Sequence, residues 1–528
     1  ATYGIHGYEV WKSDGTSAGT ALVKDINVGT GSYPRNLTNV NGTLFFQATD
    51  GSHGYEVWKS DGTTAGTALV KDINVGTTGS YPRYLTNVNG TLFFRADDGS
   101  HGVELWGLVQ AATTLTASVD GSGNLTVTDS DATGKNNQLT LRLTAGGDLV
   151  IGDATETFSA APAGWTLSGD KTSISILASL FTGSITVTGG GGDDTLTVDF
   201  SNGNPLPSGG LTFNGGALAT AAGDKLILLN TLATAFTTQV FHFADTKTAD
   251  GFGGSVVING TATITFTGLE PILGGKAADT TFNLPLGIQN LNVTIGDDSS
   301  LAGNNVITNN PSATFGTVSF PNPTNRLTVT LGNQGDTLAL QSMDVGFAPA
   351  GVGGLAPFLV NGGSGADTVN VQATAVTTTL NANGGDDAIT VSSDAPNTTT
   401  AGVSNLAGLA GTLNLNLGTG TGQTITVSDF GETATANTNV VVTSSAITGF
   451  AGVANGTTIN YSADMGSTNT LTLEGSNTLA DTFRVPSTNG LFTTTLNANG
   501  GNDAITVSSD APNTTTAGVS NLAGLAGT

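Results

Sequence analysis

The chain contains no cysteine among its 528 residues. Disulfide staples, thiolate metal sites and cysteine nucleophiles are therefore excluded. Charge is scarce too: 10% of residues are charged, where about a quarter is usual. The little charge present is one-sided, 40 acidic residues against 15 basic, for a net charge of −25. That balance disfavours nucleic acid, whose phosphates need Lys and Arg to displace counterions. It also disfavours anionic membrane surfaces and favours divalent cations. No run of 18 apolar residues occurs, so no helical membrane span is expected. HExxH and P-loop motifs are missing as well. Neither a secretory signal nor an initiator Met stands at Ala1, which reads as processing or truncation.

What remains is Gly, Thr, Val, Leu and Asn, a composition of strands and turns rather than helices. Basic residues are unevenly placed: residues 1–106 hold seven of the 15, whereas 327–528 hold only Arg484.

Two internal repeats set the organisation. In the first, Gly7-Tyr8-Glu9-Val10-Trp11-Lys12-Ser13-Asp14-Gly15-Thr16 recurs as Gly54-Tyr55-Glu56-Val57-Trp58-Lys59-Ser60-Asp61-Gly62-Thr63, a period of 58 − 11 = 47 residues. Trp106 marks a third unit, one residue later because of Thr78. Strands are expected at Tyr8–Lys12, Ala21–Asp25 and Thr43–Gln47, separated by Asp-Gly turns. Trp11, Trp58 and Trp106 read as packing anchors, and His6, His53 and His101 as structural turn residues. Tyr8/Glu9 and Tyr55/Glu56 are candidates for a sugar-binding rim. These residues resemble the ELWxxDGT repeat family of large bacterial surface proteins, a resemblance that implies propeller-like blades over about a fifth of the chain.

In the second repeat, residues 377–412 recur as 493–528 with a single change, Asp386 to Asn502. The offset is 493 − 377 = 116 residues. The sequence starts and stops inside repeats, which reads as a window on a longer array.

Beyond Leu115, short alternating runs predict strands at Leu125–Thr128, Leu139–Leu143, Ile185–Val187, Thr195–Val198, Leu327–Leu331 and Ala388–Val391. Thr supplies a β-branched residue that can still face water. The expected fold class is all-β: propeller-like repeats over 1–106, then a long β-solenoid (a parallel β-helix) through 107–358 and a C-terminal β-repeat region, 359–528. Tandem β-sandwich domains are the alternative. A β-helix of these residues would be a rod of roughly 80–100 Å, at about 4.8 Å per rung. Runs such as Gly192-Asp193-Asp194-Thr195-Leu196-Thr197-Val198 and Val119-Asp120-Gly121-Ser122-Gly123-Asn124-Leu125 resemble giant secreted β-strand-repeat proteins of environmental, planctomycete-like bacteria. That resemblance implies a cell-surface or matrix location and brings no enzymatic role.

Calcium is the expected cofactor. Gly189 to Thr197 and Gly362 to Asn370 fit the nonapeptide GGxGxDxUx, in which glycines admit backbone carbonyls and Asp adds a hard oxygen. This nominates Asp193, Asp194 and Asp367. Asp387 and Asp503 keep the Asp-x-Ile portion. Asp129 and Asp131 resemble the start of an EF-hand loop, although position twelve is Thr140 rather than Glu. A plain Gly-Asp corner opening a strand is the competing reading throughout. His242, within Phe241-His242-Phe243, is expected to be packed. Catalysis is not expected: β-helical polysaccharide lyases need a basic residue beside their carboxylates, and for the paired carboxylates of glycosidases Glu is rare and the Asp sit in turns. The sequence thus points to a secreted structural repeat protein of a bacterial surface layer, matrix fibre or adhesin stalk. Self-association and calcium stiffening are expected. A carbohydrate-binding or cell-adhesion module is the alternative, and a polysaccharide-active enzyme the third.

Overall fold

A computed structural model describes residues 6–40, 43–64, 66–88, 91–108, 114–129, 135–218, 220, 223–245, 252–287, 290–309, 316–450, 457–464 and 469–508. Asp131 lies outside them. The fold is all-β and divides into two compact units, Ala1–Thr113 and Thr114–Thr528.

The first unit contains antiparallel sheets of two, four and three strands. The four-stranded sheet runs Arg35–Val40, Thr43–Ala48, Glu56–Ser60, Ala68–Lys71, each strand paired with the next. Asp61 and Asp50 shape the turns by accepting backbone N–H bonds two residues ahead, the usual Asx device. Trp58 is buried in a cluster with Val10, Val23 and Phe46. Trp106 packs on a second cluster, donates to the Ala96 carbonyl at 3.2 Å and carries Lys71 Nζ over its ring at 5.6 Å. His53 and His101 bond Asp50 and Asp98 at 2.6 and 2.7 Å, and His6 bonds Asp25 at 2.6 Å. His53 and His101 close local turns, whereas His6 reaches 19 residues along the chain to Asp25.

The second unit joins 33 strands in one hydrogen-bonded network. Hairpins such as Leu125–Asp129 on Thr114–Val119 are antiparallel, but the long ladders are parallel. One column stacks Arg326–Thr330, Phe358–Gly363, Thr378–Asn383, Leu413–Asn416 and Thr458–Ser462. A second stacks Thr337–Leu340, Thr368–Val371, Ala388–Val391, Thr424–Ser428, Asn469–Glu474 and Phe492–Asn497. Strand alternation sends every second residue inward. Leu327, Val360, Leu380, Leu415, Leu338, Val371, Val391 and Val427 are buried and join one core running through the unit. Thr and Asn occupy the outer positions.

Two expectations need correction. A boundary between 358 and 359 would cut the strand Phe358–Gly363, whose neighbours lie on both sides in the same column. His242 is exposed, not packed: Phe241 and Phe243 are buried, so alternation places the residue between them outside, where it meets Asn283 at 3.2 Å.

Candidate functional site

The acidic residues nominated by sequence do not gather around a point. Asp194, Asp367, Asp387 and Asp503 instead belong to columns running along the stack. Asp336, Asp367 and Asp387 each sit just before a strand of the second ladder and are 2%, 2% and 1% exposed. The backbone N–H of Asp336 donates to Oδ1 of Asp367 at 2.8 Å, and that of Asp367 to Oδ1 of Asp387 at 2.9 Å. Similar links carry Asn137 to Asp194 to Asp224, at 2.7 Å each. A third series runs Asn437 to Asp481 to Asp503, at 2.9 and 2.8 Å. Each carboxylate thus satisfies the amide that opens the preceding rung, an amide the parallel ladder leaves without a carbonyl.

Glycine makes room for this. A Cβ on Gly362 would stand 2.5 Å from the Ala382 carbonyl oxygen and 2.8 Å from Oδ2 of Asp367. A Cβ on Gly475 would stand 2.5 Å from Oδ2 of Asp481. The leading glycines of the nonapeptide therefore seat the buried carboxylate of their own corner. Among the described residues the second oxygens of Asp194, Asp367 and Asp387 have no hydrogen-bond partner. Burial is the dominant cause of their pKa shifts: Asp194 and Asp367 rise to about 7 and Asp387 to about 6. Asp429 rises to about 7 for the same reason, and Asp336 and Asp481 also rise.

Asp129 is buried and accepts from the Asn137 side chain at 2.9 Å. Asp193 faces outward and holds the Thr220 backbone N–H at 2.9 Å and its hydroxyl. Asp503 is half-buried at the last described rung. Among the described residues no three His, Cys, Asp or Glu side chains converge as a metal group. A calcium ion takes six to eight oxygens, and in these columns one oxygen of each carboxylate is already engaged by a backbone amide. Sequence reading passed over Asp224, Asp336, Asp429 and Asp481. For three of them the signal was present: Asp-Lys-Leu-Ile-Leu, Asp-Thr-Leu-Ala-Leu and Asp-Thr-Phe-Arg-Val all place Asp one residue before an alternating run.

The outer face carries side-chain ladders. Asn381 donates to Asn361 at 3.0 Å, Asn416 to Asn381 at 2.9 Å and the Ser462 hydroxyl to Asn416 at 3.0 Å. Asn460 and Asn414 form a parallel series ending on Thr379. An open depression of about 370 Å³ lies over these amides.

In the first unit the paired residues of the proposed rim separate by role. Glu9 and Glu56 are buried at 1% and 0%, and accept from the backbone N–H groups of Ser32 and Ser80 at 2.8 and 2.7 Å. Burial raises the pKa of Glu56, and the Ser80 bonds oppose that rise. The tyrosines remain near the surface as pairs: Tyr8 with Tyr33 at 5.5 Å between centroids, Tyr55 with Tyr81 at 5.7 Å. Beside the second pair lies a cavity of about 320 Å³, lined in part by Tyr81, Arg83, Arg95 and Asp97.

No known family, no curated protein and no solved structure matches this chain.

Proposed function

We propose that the protein is a structural element of a bacterial extracellular surface: a layer, matrix fibre or adhesin stalk. The observation that supports this best is the continuous parallel ladder of the second unit, whose interior is filled by side chains rung after rung. Such a stack resists bending because each rung is bonded along its length to the next. We further read its columns as the faces of a parallel β-helix, and the four-stranded sheet of the first unit as one propeller-like blade. The resemblance to secreted repeat proteins supplies the location.

The buried Asp columns support the same role. They fix register at each corner, because a one-residue slip would strand a carboxylate against apolar side chains. Calcium is not needed for that reading. The test is electron microscopy combined with light scattering while calcium is titrated and then chelated. Stiff rods, or reversible growth into fibres or layers, are expected. A flexible string of globules would overturn the proposal.

A further inference from the structure

We propose that the cavity beside the second tyrosine pair binds the acidic groups of a polysaccharide, a uronate carboxylate or a sugar sulfate. This goes beyond the scaffold role and stands on different residues.

Arg83 and Arg95 are direct cross-strand partners, on Arg83–Val88 and Thr91–Asp97. Both are exposed and both line the cavity. Like charges placed opposite one another on a sheet cost stability, and no salt bridge among the described residues joins either arginine to an acid. Two guanidinium groups side by side present their donors to one anion, the geometry that suits carboxylate or sulfate. In the first repeat the corresponding pair is Arg35 facing Gln47.

The aromatic wall is held in a costly conformation. Tyr81 has φ +50° and Tyr33, its counterpart, +49°. A bulky residue rarely adopts that region. Pro82 and Pro34 follow, and a proline disfavours anything but extended backbone before it. Buried Glu56 holds Ser80, and the Tyr81 N–H bonds the Tyr55 carbonyl at 3.0 Å, so the surroundings enforce the strain. Strain retained at an exposed aromatic in both repeats marks a surface kept for contact. Tyr81 is 51% exposed and offers a ring face for a sugar to stack on. Asp97 and Asn74 add an acceptor and an amide within the same cavity for hydroxyl groups. Nucleic acid is a poorer occupant: it needs a spread of cations along its backbone, and here there is one pair in a chain of net charge −25.

The experiment is calorimetric titration of the whole chain with polygalacturonate, dextran sulfate and uncharged dextran. Binding to one or both polyanions, with none to dextran, is expected. Arg95→Gln, which reproduces the first repeat's arrangement, should weaken binding by about tenfold or more, the loss of a charged hydrogen bond. Tyr81→Gly should weaken it too while leaving the melting temperature equal or higher, because it releases the left-handed strain. Lys59→Gln, on an exposed position of the same unit outside the cavity, should bind like the parent. Equal binding to dextran, an unaffected Arg95→Gln variant, or an equal loss in Lys59→Gln would each overturn the proposal. None of these results bears on rod or fibre formation.

Discussion

Asp367 is acceptor and liability at once. Its Oδ1 caps the Asp336 amide at 2.8 Å, while Oδ2 lies buried with no donor. Removing the cap and removing the charge should therefore act in opposite directions. Asp367→Ala leaves a buried N–H unpaired and should cost about 1–3 kcal/mol, read from urea denaturation. Asp367→Asn keeps the acceptor and loses the charge. Asn437 already sits at the head of the Asp481–Asp503 series, so a neutral amide is tolerated in such a column. Asp367→Asn should be neutral or stabilising at pH 8. The pH dependence follows from the same groups. Asp194, Asp367 and Asp429 have folded values of about 7 and Asp387 of about 6, all above the unfolded carboxylate. Between the unfolded value, about 3.9, and pH 7 the folded chain holds protons that the unfolded chain has released. Their stabilising contribution is full below that window and is lost as pH rises through it. The melting temperature should rise as pH is lowered from 8 to 5. Asp120 and Asp170, held below the usual range by turn hydrogen bonds, act oppositely and only at lower pH. A melting temperature that falls steadily from pH 8 to 5 would contradict the buried columns.

At the scale of the element, each corner is a glycine, a buried aspartate and an alternating strand acting together. Gly362 has ordinary backbone angles, so its conservation of space rather than conformation is what matters. A methyl there would meet the Ala382 carbonyl at 2.5 Å. Gly362→Ala should cost about 1–3 kcal/mol through overpacking, whereas Gly121→Ala, at an open position without a positive φ, should cost next to nothing. Inside the strand, Leu380 is fully buried. Leu380→Ala should cost about 2–5 kcal/mol, measured by the same denaturation. The outward Asn ladder should matter much less, since its members are at the surface and water replaces a lost partner.

For the molecule as a whole, the two compact units should unfold separately. Scanning calorimetry should resolve two transitions, the smaller belonging to residues 1–113, because each unit has hydrophobic clusters of its own. Chelation should leave both transitions in place, since the described carboxylates are held by backbone amides instead of converging on an ion. A drop in either transition on adding chelator, reversed by calcium, would restore the calcium reading.

The strand runs were legible in sequence because alternation and turn chemistry are local. Ala388–Val391 was expected and found with the same bounds, and Leu125–Thr128 within one residue. The GGxGxD corners were legible as corners, but the bond from each carboxylate to a neighbouring rung's amide was not. Whether a carboxylate meets an ion or a neighbouring amide depends on which rung stacks beside it. The 377–391 and 493–507 copies show the limit most directly, since they differ only at 386/502. In the first copy Thr378–Asn383 lies in the column of Phe358–Gly363, and Ile389 is 1% exposed. In the second, Phe492–Asn497 lies in the column that holds Ala388–Val391. The sequence by itself determined an all-β chain with inward apolar and outward Thr and Asn positions. The choice of partner strand, and with it the amide each Asp meets, was decided only by tertiary stacking, because ladder hydrogen bonds join backbones and do not read side chains.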